Sequence, residues 1–261
     1  MADLNSKFID AHCHLSDERV WPKASEWIES AKLAGIKRVC IGGLEPAEWA
    51  RQLELKKTDP EFIRTSFGVH PWWIEKYTRA ELEKILEQLA ANAKNADAIG
   101  ETGLDHFSKR DKARFPDQEF AFRFQLKLAV ALKKPLVLHV VKAHEVALRI
   151  IQEEGAGHLP MQVHSFSGSG EIAKEWIKLG AFLSFNGTLL KPSADKLRET
   201  LRATPHSNLL FETDSPDQAW REDGRNEPQF VREIYKKASQ VLDLTPTTLA
   251  SIVAENFSRF E

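Results

Sequence analysis

Phe8-Ile9-Asp10-Ala11-His12-Cys13-His14-Leu15 reads as a short buried strand that ends in two histidines one residue apart. Side chains on a strand alternate between its faces, so Asp10, His12 and His14 share one face and Ile9, Ala11, Cys13 and Leu15 the other. Two imidazoles side by side pack poorly in a core but make half of a metal site. Taken alone, the stretch could also be a surface strand with two incidental histidines. The rest of the chain decides, because histidines and acidic residues recur at the ends of later strands.

Working outward, eight short apolar runs read as strands: Lys7–His14, Arg38–Gly43, Ile63–His70, Ala98–Leu104, Pro135–Val141, Met161–Phe166, Ala181–Asn186 and Asn208–Thr213. Most are apolar throughout rather than alternating, as parallel strands covered on both faces should be. Amphipathic helical stretches separate them: Trp21–Ala34, Pro46–Lys57, Arg79–Ala93, Phe115–Lys133, Ala143–Glu154, Gly170–Leu179 and Pro192–Ala203. Glu227–Leu242 and Pro246–Phe257 follow the last strand. Leu82, Ile85, Leu86 and Leu89 show the helical spacing. Eight β-then-α units in 261 residues match an α/β fold of the (β/α)8 TIM-barrel type. An open doubly wound sheet is the alternative, but it usually needs fewer strands for this length. No repeat, low-complexity tract or linker interrupts the pattern, so one domain over 1–261 is expected.

The chain is 42% hydrophobic and 28% charged with a net charge of −2, ordinary for a soluble globular protein. A surface that grips long duplex DNA is usually basic, so any contact with nucleic acid must be local here. The two cysteines, Cys13 and Cys40, both fall inside strands, which fits a reducing compartment without a disulfide framework. Met1–Lys7 holds no apolar run of signal-peptide length, and no stretch is long enough to span a membrane. A cytoplasmic protein is expected.

In a (β/α)8 barrel the C-terminal ends of all strands meet at one rim. Strand one ends in His12 and His14, strand three in His70, and strand four carries Glu101 in Ala98–Asp105. Strand five ends in His139, strand six in His164, and strand eight leads through Glu212 to Asp214. One such residue is ordinarily a core or capping group. Four histidines and two carboxylates at the rim ends of strands one, four, five, six and eight are different. Burying them together without a cation would cost heavily in desolvation and repulsion. A pair of divalent ions removes that cost; mixed imidazole and carboxylate ligands suit Zn²⁺ or Mn²⁺, with Mg²⁺ where carboxylates and water dominate.

These residues carry a resemblance. The chain resembles the TatD family of metal-dependent hydrolases, within the amidohydrolase-type barrels, along its whole length and in order. The matching motifs are D-A-H-C-H-L at Asp10–Leu15, G-V-H-P at Gly68–Pro71 and G-E-T-G-L-D at Gly100–Asp105. They continue with L-H at Leu138–His139, H-S-F-S-G-S at His164–Ser169, E-T-D-S-P at Glu212–Pro216 and N-x-P at Asn226–Pro228. Within the family, His164–Ser169 and Glu212–Asp217 are most similar to the YjjV branch. The resemblance implies that His12, His14 and Asp214 hold one metal ion and His139 and His164 the second, with Glu101 bridging them. It implies deoxyribonuclease activity, with 3′-to-5′ exonucleases on single strands among the members, and so a DNA single strand or end as partner; separately, a monomer is expected. Two positions depart from the family pattern. Thr102 stands where isoleucine is usual, and Val140, Val141 and Lys142 follow His139 where many relatives place an arginine. Lysine offers a point charge rather than a planar fork, which changes how phosphate is met.

A water shared by two divalent ions loses its proton near neutral pH, and Asp214 beside it is the expected general base. His70 is either a donor to phosphate or the leaving oxygen, or a support for the loop before Pro71. Asp10 and Glu212, deeper on their strands, either orient an imidazole or pair within the barrel core. Trp72 and Trp73 either stack on bases at the rim, or plug the mouth and pack on a helix. His144 could reach substrate. Lys142, Lys191, Arg221 and Arg225 either meet phosphates or are solvated charges. Asn226 closes the segment Asp217–Asn226, a candidate flap with substrate contacts. Two other functions remain open: the same metal chemistry on a small ester, amide or acyl adduct, and a non-catalytic barrel that binds a partner.

Overall fold

The computed structural model describes residues 8–107, 109 and 111–261; Met1–Lys7, including the expected start of the first strand at Lys7, lies outside them. Among the described residues eight strands pair in parallel in sequence order: β1 (Phe8–Cys13), β2 (Ile36–Gly43), β3 (Ile63–Phe67), β4 (Ala98–Asp105), β5 (Leu136–Val141), β6 (Met161–Val163), β7 (Phe182–Phe185) and β8 (Leu209–Phe211). Helices α1 (Ala24–Leu33), α2 (Pro46–Thr58), α3 (Pro71–Ile74), α4 (Arg79–Asn92) and α5 (Phe115–Leu132) cover the first half. Helices α6 (His144–Glu153), α7 (Gly170–Lys178), α8 (Asp195–Ala203), α9 (Val231–Leu242) and α10 (Pro246–Phe260) cover the second. This is the expected barrel with helices between its strands.

The ring closes between β1 and β8 by a few specific hydrogen bonds. Asp214 N donates to His12 O at 3.0 Å and His14 N to Ser215 O at 2.7 Å. Below them the Asp10 carboxylate takes the place of a backbone carbonyl, accepting from Thr213 N at 2.8 Å and from Thr213 Oγ1 at 2.6 Å. The Tyr235 hydroxyl, reaching in from α9, donates to Ile9 O at 3.1 Å. Asp10 therefore works as a clasp between strands. Burial pushes its pKa well up, and the hydrogen bonds from Thr213 only partly offset this.

Most segment ends match the sequence pattern, and the differences have local causes. The third strand stops at Phe67 because Gln125 of α5 takes over the backbone of Val69, accepting from its N–H at 2.8 Å. The residues beyond it form α3, a single turn started by Pro71 and capped by the His70 ring, where the sequence suggested a loop. β6 is only three residues long, since Ser165 turns away with φ of 47°. Proline at position 22 leaves Trp21–Lys23 as a 3-10 turn before α1, and Pro228–Phe230 does the same before α9.

One large core runs between barrel and helices. A second cluster, with Trp49, Phe67, Ile74, Leu82, Leu86 and Leu89, packs α2, α3 and α4 against β3. Cys13 and Cys40 are both buried and unpaired. Among the described residues no helix is long and apolar enough to cross a membrane.

Candidate metal centre

Glu101, in the middle of β4, sits where the rim residues converge. Its Oε1 lies 2.8 Å from His12 Nε2 and 3.1 Å from His14 Nε2. Its Oε2 lies 3.0 Å from His164 Nε2, 3.3 Å from His70 Nε2 and 3.6 Å from His139 Nδ1. One carboxylate thus presents an oxygen to each of two imidazole groups. Asp214 completes the first, its Oδ1 3.3 Å from His14 Nε2 and 4.0 Å from His12 Nε2. In the second, His139 Nδ1 and His164 Nε2 are 2.9 Å apart. Three sets of donor atoms each fall within 4.8 Å of one another: His12, His14 and Asp214; His12, Glu101 and His164; His70, Glu101 and His139.

Backbone choices make this crowding possible. At Gly42, at the end of β2, a β-carbon would stand 2.4 Å from His12 Cε1 and 3.1 Å from Glu101 Oε1. Only glycine leaves the ring and the carboxylate their meeting place. Asp214 has φ of 58°, as do Ser165 at 47° and Lys142 at 55°, each just past a strand that brings a residue to the rim. Such left-handed backbone in residues other than glycine is costly and gathers at functional sites.

The group is buried, and its electrostatics follow. Burial works against charge on Glu101, yet His164, His12 and His70 hold its carboxyl well below the ordinary range. Asp214 is likewise held down by His14 and His164 against burial. Burial also opposes charge on His14, but Asp214 and Glu101 hold its imidazole well above the usual range; Glu101 and Glu212 do the same for His164. His70 goes the other way: burial, with His139 beside it, pushes it down to about 4. Its Nδ1 accepts from Trp72 N at 3.1 Å, so its proton sits on Nε2, toward Glu101.

The donors fit a divalent cation. They are imidazole nitrogens and carboxylate oxygens, the ligands of Zn²⁺ and Mn²⁺, and several point at a common centre. Among the described residues that line the mouth cavity, about 410 Å³ in volume, there is no lysine or arginine to neutralise them. A larger depression of about 710 Å³ lies alongside between α7 and α8, touching the first at Ser167, and it is lined by no histidine.

Of the residues singled out in the sequence, His14, His70, Trp72, Glu101, His139, His164 and Asp214 line the mouth cavity, and His12 lies just beneath it. Trp72 is 42% exposed there, with its ring edge-on to His70 and His139. Trp73 does not line the cavity and lies under Lys76. Four candidates for substrate contact lie outside the lining. Lys142 is exposed. His144 is turned back to accept from Trp176 Nε1 at 3.1 Å, and burial, with Lys142 beside it, lowers it to about 4. Arg225 pairs with Asp223 on the surface. Asn226 is buried and donates to Thr213 O at 2.7 Å and Asp217 O at 2.5 Å, pinning both ends of the segment after β8. Arg221 is tied to Glu233 at 2.5 Å. Glu212 reaches Ser165 N at 2.6 Å and faces His164 Nδ1 at 3.5 Å, so it steadies an imidazole whereas Asp10 clasps the barrel.

Asp105 and Phe107, to which the sequence assigned no role, also line the cavity, as do Asp217 and Gln218 of the candidate flap. Asp105 had a signal: at two-residue alternation it shares a strand face with Glu101. Phe107 had none, since loop direction past a strand end is set by tertiary contacts.

A parallel eight-stranded barrel with these donors at its C-terminal rim is a (β/α)8 protein that carries a candidate metal centre. The comparisons with known proteins name the family within that class. The model of the TatD related DNase family matches residues 9–261. YabD of Bacillus subtilis, described as an uncharacterized metal-dependent hydrolase, is 34% identical over 254 residues, 96% of this chain and 97% of that one. The human 3′-5′ RNA nuclease TATDN2 is 30% identical over 276 residues, covering 98% of this chain and 35% of that protein. The crystal structure of YjjV from Escherichia coli superposes with a TM-score of 0.87 at 27% identity, over 97% of each chain. The chain belongs to the TatD family.

Proposed function

We propose that this chain, acting as one barrel domain over 1–261, hydrolyses phosphodiester bonds at the 3′ end of single-stranded nucleic acid, DNA in the first instance. One observation carries the reading: the two oxygens of Glu101 face two separate imidazole groups, with Asp214 on the side of the first. In this reading His12, His14 and Asp214 hold one divalent ion, His139 and His164 hold the second, and Glu101 is shared. Bound there, two cations supply a Lewis acid for a phosphoryl oxygen and a water acidic enough to attack near neutral pH. In that reading Asp214, whose Oδ1 lies 3.3 Å from His14 Nε2, would accept the proton of the attacking water. His70, neutral and protonated on Nε2, donates to a non-bridging phosphate oxygen. The exposed ring of Trp72 offers a face for a base. The name of the family supports DNA, and TATDN2 supports RNA as the competing polymer.

A second reading keeps the metal chemistry and changes the substrate. The cavity is lined by Leu44, Val140 and Val141 and by no lysine or arginine among the described residues, which suits a small ester, amide or acyl adduct. Protein reconstituted with Mg²⁺, Mn²⁺ or Zn²⁺ should shorten 3′-labelled single strands, and Glu101→Ala should not. Intact strands together with cleavage of a small ester would replace the first reading with the second. Binding that weakens steeply with salt supports the polymer.

A further inference from the structure

We propose that Asp105 is a positioning residue, whose one carboxylate sets the ligand nitrogen of His139 and the ring of Trp72 together. The inference rests on the reading of His139 as a ligand of the second cation. Asp105 ends β4, is buried at the cavity wall and takes no part in any of the three donor sets. Its Oδ2 faces His139 Nε2 at 3.5 Å, on the side of the ring away from Glu101. The same oxygen accepts a hydrogen bond from Trp72 Nε1, and Oδ1 accepts from Phe107 N at 2.9 Å.

The chemistry of the imidazole makes this placement consequential. A histidine that gives one nitrogen to a cation must keep its proton on the other, and a carboxylate facing that proton fixes both the tautomer and the tilt of the ring. With His139 Nδ1, which points at Glu101 and His164, given to the cation, Nε2 carries the proton. His139 Nε2 is buried without a hydrogen bond, and Asp105 Oδ2 stands 3.5 Å from it. Catalytic hydrogen bonds are often long before ligands bind and shorten afterwards.

The strand end is held for the purpose. Gln118 of α5 accepts from Asp105 N at 2.9 Å and donates to its carbonyl at 3.3 Å, so the carboxylate cannot drift along the rim. Trp72 and Phe107, 42% and 43% exposed, both line the mouth and both hang on this one residue. A planar group at the substrate terminus would meet walls whose positions are locked to that of a metal ligand. Among the described residues Asp105 is the carboxylate that faces His139 Nε2.

The test is a titration of the metal-free protein with Zn²⁺ alone, wild type against Asp105→Asn, followed by single-strand cleavage. Two cations are expected to bind the wild type. In Asp105→Asn the tighter cation should be unchanged and the weaker one lost by about 10- to 100-fold in affinity. KM should rise as well, because Trp72 loses its anchor. Trp72→Phe, which keeps a ring but has no indole N–H, should raise KM and leave both cations bound. Asp105→Glu, which keeps the charge on a longer arm, should fall between wild type and Asp105→Asn. One cation in the wild type would remove the reading of His139, and the assignment with it. Two cations bound equally well by wild type and Asp105→Asn would overturn the assignment alone, as would a fall in thermal stability with no change in the ratio of the two affinities. Should Asp105→Asn not fold, Asp105→Glu carries the same comparison.

Discussion

The two ends of the barrel handle charge in opposite ways. At the N-terminal end of the strands, several half-buried charges have a partner of the other sign, and Lys134 bonds the carbonyls of Lys94 and Ala96. Lys56 meets Asp97 at 2.5 Å, Lys32 meets Asp59 at 2.7 Å, and Arg38 and Arg64 both grip Glu261. Asp97 also accepts from Thr65 N at 2.8 Å, tying β3 to the start of β4. At the C-terminal end, among the described residues, Glu101 and Asp214 are met by imidazoles, and against burial the neighbouring carboxylates hold those of His14 and His164 well above their usual range. The first end is complete as it stands. The second is a set of donors balanced by protons, the condition of a site built for cations.

The contrast can be broken at several points. The largest effect should come from Glu101→Ala, which removes the group common to both halves. Cleavage is expected to fall by on the order of 10³-fold or more, with cation binding lost, as read by equilibrium dialysis and elemental analysis. Gly42→Ala should come next. Its methyl would stand 2.4 Å from His12 Cε1, so His12 must swing off the centre; activity should drop about 100-fold while the melting temperature moves by little. Trp72→Ala should raise KM by the worth of one stacked base, about 1–3 kcal/mol, with kcat held.

The pH dependence sharpens the comparison. Against burial, neighbouring carboxylates raise His14 and His164, so near neutral pH the metal-free rim holds protons that a cation must displace. Cation affinity should therefore rise with pH and fall on acidification. Calorimetry in buffers of different ionisation enthalpy should show proton release at pH 7. The smallest effect belongs to the other end: Lys56→Ala should cost about 1 kcal/mol of stability or less and leave cleavage and cation binding as they were, by thermal melting and dialysis.

The barrel was legible because its strands are apolar throughout and its helices keep their period. Those patterns follow from covering a parallel sheet on both faces. The convergence of the rim residues was legible for a related reason: a strand end has a fixed place on the rim, so His12, His14, Glu101, His139, His164 and Asp214 could be read together. The outlying contacts were harder. Lys142, His144, Arg225 and Asn226 follow strand ends in sequence, but their side chains answer to solvent, Trp176, Asp223 and the carbonyls of Thr213 and Asp217. His70 combines two of the roles left open for it: one nitrogen caps α3 and the other faces Glu101. Nothing in a linear pattern states which nitrogen of a ring is spoken for.

The central claim is that Glu101 stands between two cations. Crystals grown with Zn²⁺, with diffraction recorded on both sides of the zinc absorption edge, test it most directly. The account predicts two anomalous peaks about 3.5–4 Å apart, one beside His12, His14 and Asp214 and one beside His139 and His164, with a Glu101 oxygen on each. A single peak, or peaks away from Glu101, would contradict it.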